Sequence, residues 1–178
     1  SINTRYSRLG TDVLQVYIEG DENTMLDPQV YHTTETLDRY IYEHVAEARP
    51  AQSLVPVIKL INSVLYEGDP SYELIPDSTE EVGFDIYMFR SRGEPGDFAA
   101  FTNNTWEIGN ISFFIEDHSV PTIAALTSSF GKYFDELQGN RSEGSFLYSG
   151  GQVGIVEALN AEIKESNVKI MVAIALVI

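Results

Sequence analysis

Cysteine is absent from this chain of 178 residues. That excludes a disulfide framework and a thiolate metal site. It fits any compartment, so cytoplasm and virion suit the composition equally. Bases are scarce: 11 Lys and Arg stand against 27 Asp and Glu, a formal net charge of −16. A surface of that kind has no basic patch to displace counterions from nucleic acid or an anionic bilayer. Direct contact with nucleic acid or membrane is therefore not expected, whereas a basic protein would be attracted. Histidine occurs only as His32, His44 and His118, and no pair has the spacing of a zinc site. No apolar run reaches the ~18 residues that cross a bilayer. The first ten residues hold no apolar leader core. Nucleophile-elbow, Walker and dinucleotide patterns are all missing, and no cofactor or metal is implied.

The apolar fraction of 43%, with nine Phe and ten Tyr, argues for a packed core rather than disorder. Length sets one domain as the expectation, with roughly 70% of the unfolded surface buried. Residues 1–178 read as a single globular domain, with 1–30 a partly irregular arm. The acids are unevenly placed. Asp12 to Asp38 holds seven acids and no Lys or Arg, and Glu67 to Glu81 holds six, again without a base. Solubility alone accounts for such a surface, as does a basic partner.

Periodicity gives the elements. Asp12–Glu19 alternates as a half-buried strand, and 20–28 reads as acidic loop. Leu37, Tyr40, Ile41, His44, Val45 and Ala48 make one helical stripe over 34–48, which Thr33 or Thr34 caps and Pro50 stops. His44 within that stripe reads as a core histidine. Ser53 caps a second helix over 54–66, apolar round more than half its circumference. That helix is expected to be deeply buried or to sit at a subunit contact. Tyr72–Ile75 reads as a short strand. Val82, Phe84, Ile86 and Met88 alternate with polar neighbours, which predicts a strand over 82–90. Residues 91–105 form a long Gly-, Pro- and Asn-rich loop of the kind that is functional or mobile. Trp106–Glu116 reads as a strand. Ser119 caps a helix running to about Gln138, Ser145–Tyr148 suggests a short strand, and 152–165 a fourth helix. Val168–Ile178 is apolar on both faces, which predicts a central strand covered on each side. The fold expected is therefore α/β or α+β. Its single domain is a mixed sheet of about five strands with about four helices packed on it, the C-terminal strand central.

No motif carries a reaction. Asp117, His118 and Ser119 are adjacent, and neighbouring side chains diverge too far to form a relay. Ser119 is more simply a helix cap. Arg90 and Arg92 stand out among so few bases, at the mouth of the long loop. With Asp117 and His118 they are the candidate ligand or interface residues. Ser149–Gly154 reads as a turn, because no base follows its glycines. Asp21–Glu22–Asn23 lacks the glycine and glutamate of a calcium loop. Sequons stand at Asn103, Asn110 and Asn140. These features point to a non-enzymatic acidic protein acting through its surface. The first expectation is a self-associating assembly component of the virion or phage-morphogenesis kind. The second is an acidic inhibitor of a basic partner, and the third a small enzyme for an anionic small molecule.

Overall fold

The computed structural model describes residues 12–91, 98–117, 119–134 and 145–148. Alternation sets its sheet. In β1 (Asp12–Glu19) Leu14, Val16 and Ile18 are buried, while Val13, Gln15 and Tyr17 are half-buried. In β3 (Ile108–Ile115) Ile111, Phe113 and Ile115 repeat the pattern. The two pair antiparallel from Asp12 opposite Ile115 to Glu19 opposite Ile108. Side chains alternate with a period of two, so this register gathers the buried residues on one face. β2 (Ala48–Gln52) pairs outside β3, and β4 (Ser145–Tyr148) outside β1. The order is β2-β3-β1-β4, and every pairing is antiparallel.

Helices cover the buried face. α1 (Pro28–His44) starts where Asp27 accepts the Gln29 N–H at 2.8 Å. It begins at Pro28 rather than Thr34 because Asp27 and Pro28 are a cap followed by a first-turn proline. Between β1 and α1 lies a short 3-10 turn, Thr24–Leu26, whose Met25 is buried. The Tyr31 hydroxyl donates to the Met25 carbonyl. The Met25 thioether occupies the space beside Gly109, where a Cβ would stand 2.5 Å from its sulfur. A glycine in the strand admits that close approach. α2 (Val55–Leu65) has Leu54, not Ser53, at its cap position; Ser53 stands one residue earlier, where its Oγ accepts the Val55 N–H at 3.3 Å. α4 (Val120–Lys132) is capped by Ser119, which accepts the Thr122 N–H at 3.4 Å. Phe130 of α4 meets Phe113 of the sheet edge to face, ring centres 5.0 Å apart.

The expected strand over 82–90 is a helix. α3 (Thr79–Arg90) buries Val82, Asp85 and Ile86, a spacing of three and four, and leaves Phe84 and Tyr87 exposed. The deciding signal is Ser78-Thr79-Glu80-Glu81. Ser78 accepts the Glu81 N–H at 3.2 Å, and Glu81 reaches back to the Asp77 N–H at 3.1 Å. Tyr72–Ile75 is not a strand either. Its first residue ends a 3-10 turn, Pro70–Tyr72, which Asp69 caps by accepting the Ser71 N–H. The strand that was not foreseen is β2. It is short, and its pairing with β3 shifts register between Arg49 and Gln52, so alternation never develops. His44 leaves the core: it is exposed at the end of α1, stacked on Tyr40 at 4.0 Å, with Nδ1 against the Tyr40 carbonyl. The described residues thus form a mixed α/β fold with four helices, and their sheet has four strands rather than about five and is antiparallel throughout rather than mixed. The helix expected over 152–165 and the central strand expected over 168–178 lie outside the described residues.

Candidate functional site

Apolar surface is concentrated on one helical hairpin. Eleven large hydrophobic residues are exposed among the described ones, and eight of them fall between Leu60 and Phe89. α2 causes this. Ile58 and Ile61 take it onto the core, but Leu60 and Val64 on its other side are 57% and 61% exposed. A helix apolar all round is normally covered on both sides. Between α2 and α3 runs a groove of about 230 Å³. Val57, Leu60, Ile61, Val64 and Leu65 form one wall, at helical spacings of three and four, and Met88 and Phe89 form the other. Phe89 packs edge to face on Phe98 at 5.3 Å, and Phe98 on Trp106 at 5.5 Å, both buried. That wall is therefore backed by aromatic rings. Tyr66 and Tyr72, both exposed, stack at 3.9 Å just past the end of α2.

The segment joining the two helices and the first turn of α3 carry the acids. Glu67, Asp69, Glu73, Asp77, Glu80 and Glu81 are all exposed. Asp69 is held below the usual carboxylate range by the Ser71 N–H and hydroxyl, so it stays charged. On α2 the one base, Lys59, is paired with Glu35 at 2.6 Å. Asp85, on the inner side of α3, is 4% exposed and its Oδ2 has no hydrogen-bond partner. Burial, with a smaller push from Glu81, raises its pKa from 3.8 to about 6.

A second cleft, of about 550 Å³, opens at the outer end of β2. Pro50, Gln52, Pro56, Phe101 and Phe114 line it together with Arg49, which is already engaged by Glu116 and by the Ala48 carbonyl. Of the residues singled out from sequence, Arg90 and Asp117 are described and line neither cleft. Arg90 is exposed in the last turn of α3. Asp117 follows β3 and accepts the Ser119 N–H at 2.8 Å, which makes it part of the turn into α4. Arg92 and His118 lie outside the described residues. Among the described residues no three His, Asp or Glu side chains converge on a metal-sized space. No described helix is long and apolar enough to cross a membrane.

Two of the three sequons are built into structure. The Asn103 carboxamide oxygen accepts the N–H of Glu107 and of Ile108, and its NH₂ donates to Thr105 Oγ1 at 2.8 Å. Asn110 lies within β3 and donates to the Ala100 carbonyl. Asn140 lies outside the described residues.

Sequence reasoning flagged α2 as too apolar for one buried face, and that was the signal for the groove. It missed Met88 and Phe89, because a strand over 82–90 would have set them on opposite faces. No family model, no curated protein and no solved structure matches the chain. The functional reading therefore rests on the site itself.

Proposed function

We propose that this protein is a non-enzymatic binding protein that takes a basic protein partner at its α2–α3 face. One observation carries the reading: exposed apolar side chains cluster on a single helical hairpin inside an acidic margin. A contiguous apolar patch with a polar rim is the common form of an interaction site. The acids choose the sign of the partner. Each copy carries −16, so like copies repel at low salt and a basic surface is drawn in.

The second reading is self-association, as in an assembly protein of the virion kind. The exposed Leu60 and Val64 favour it, because a second copy would cover them. The small enzyme for an anionic molecule has less support, since neither cleft contains Arg90 or Asp117.

Light scattering at low salt and at about 1 M salt separates the first two. A monomer at both salts that associates with polylysine only at low salt supports a binder of basic partners. An assembly that persists at high salt moves the assignment to self-association. A monomer indifferent to polylysine overturns both.

A further inference from the structure

We propose that the α2–α3 groove receives a basic amphipathic helix from the partner protein. This rests on the reading above and names the segment that does the docking.

The walls of the groove determine the shape of the occupant. Both are helices whose backbone N–H and C=O groups are already satisfied within the helix, so an extended peptide finds no ladder to join there. The β2 edge of the sheet offers little alternative. The outer edge of β2 is interrupted by its register shift and by Pro50, and the Ala51 N–H is taken by Asp38 at 2.8 Å. An occupant that satisfies its own backbone is the one that fits, which is a helix laid along the groove. The row from Val57 through Leu60 to Val64 extends for about 10 Å, at roughly 1.5 Å per residue. That length matches two turns of a docked helix, read as apolar anchors at i, i+3 or i+4, and i+7. Met88 and Phe89 on the facing wall suit such anchors. A thioether adapts to the shape of a side chain, and an aromatic ring contributes a large contact area.

The margin determines the charge of the occupant. Six exposed acids and no base lie between Glu67 and Glu81, four on the segment that joins the two walls and two in the first turn of α3. A docked helix brings its flanks against them. Lys or Arg on those flanks gains from the contact, and Asp or Glu is repelled. A second copy of this chain would set the same acids against each other. The chain's own apolar stretch, 168–178, offers Lys169 alone as a base.

The test uses the full chain and three synthetic peptides of about three helical turns. The first has Leu at i, i+3, i+4 and i+7 with Lys on its flanks. The second has Glu in place of Lys, and the third is the first with its order scrambled. Titration calorimetry gives affinity, and methyl NMR of the Leu, Val, Ile and Met side chains shows where the peptide sits. The first peptide is expected to bind, to shift the groove methyls, and to weaken as salt rises. Leu60→Asp, a change at an exposed position that leaves the core intact, is expected to weaken it roughly ten-fold or more. Glu67→Lys with Glu73→Lys is expected to narrow the gap between the Lys and Glu peptides. Equal binding of the scrambled peptide, or indifference to Leu60→Asp, overturns the proposal. So does binding that appears only in an Ile174→Asp variant, which would put the chain's own terminal stretch in the groove. If the first peptide fails while polylysine still associates at low salt, the docked helix falls and the broader reading stands. If both fail, both fall.

Discussion

Asp85 is the residue on which the α2–α3 hairpin is most finely balanced. Its carboxyl is buried with Oδ2 unpartnered, which raises its pKa from 3.8 to about 6. The folded chain therefore binds that proton more tightly than the unfolded chain does. Stability from this group is full below about pH 4 and falls as pH climbs through about 6. Asp38 adds to the same slope. Burial, together with Glu35, raises its pKa, against the lowering pull of the Ala51 N–H. Replacing Asp85 with Asn removes the cost of ionisation without a large change of shape. Asp85→Asn is expected to stabilise the protein by on the order of 1 kcal/mol near neutral pH, and by almost nothing near pH 4. Urea unfolding curves at the two pH values measure the difference. Equal effects at both would show that the gain does not come from charge. None of this was legible from sequence. Asp85 sits in an alternating pattern that reads as the solvent face of a strand, and only the helix turns it inward.

At the scale of the element, α3 depends on its first turn. Its buried face is narrow and includes a carboxylate, so little of its stability comes from packing. The cap then matters in proportion. Ser78→Ala is expected to cost about 1 kcal/mol, seen in a urea melt. Faster amide exchange confined to α3 would place the loss there, and faster exchange in every element alike would refute it. The element also shows why the sequence was legible in parts. β1 and β3 announce themselves because one face is buried along their whole length, and Ser119 marks a helix start at the position observed, while Ser53 falls one residue short of the Leu54 cap. α3 misleads because Val82, Phe84, Ile86 and Met88 fit a period of two, while the burial of Val82, Asp85 and Ile86 follows the helical one. β2 hides because Pro50 and a register shift break a strand of five residues. The groove was half legible: one wall was readable in the apolar excess of α2, and the other lay inside the misread element.

At the scale of the whole molecule the dominant quantity is charge. Ion pairs among the described residues join Arg49 to Glu116 and Lys59 to Glu35. They leave most of the acid surplus uncompensated, so the folded chain repels itself. The midpoint of thermal unfolding is therefore expected to rise by several degrees between about 0.02 M and 0.3 M monovalent salt, as screening shortens that repulsion. Scanning calorimetry over a salt series reads it. A flat response would mean that the acids are already spaced widely enough to ignore one another. Screening that steadies the isolated chain also weakens its hold on a basic partner, so stability and affinity should move in opposite directions as salt is added.

Trp106 is the one tryptophan in the chain. It lies two aromatic contacts from the groove, through Phe98 to Phe89, and is 8% exposed. Its indole emission, excited at wavelengths too long for the ten tyrosines to absorb, therefore reports one shielded site behind the docking wall. A helix that presses on Phe89 would disturb that environment and change the colour or intensity of the light. The protein carries its own optical gauge of occupancy, and a titration could be followed in a fluorimeter without attaching any dye.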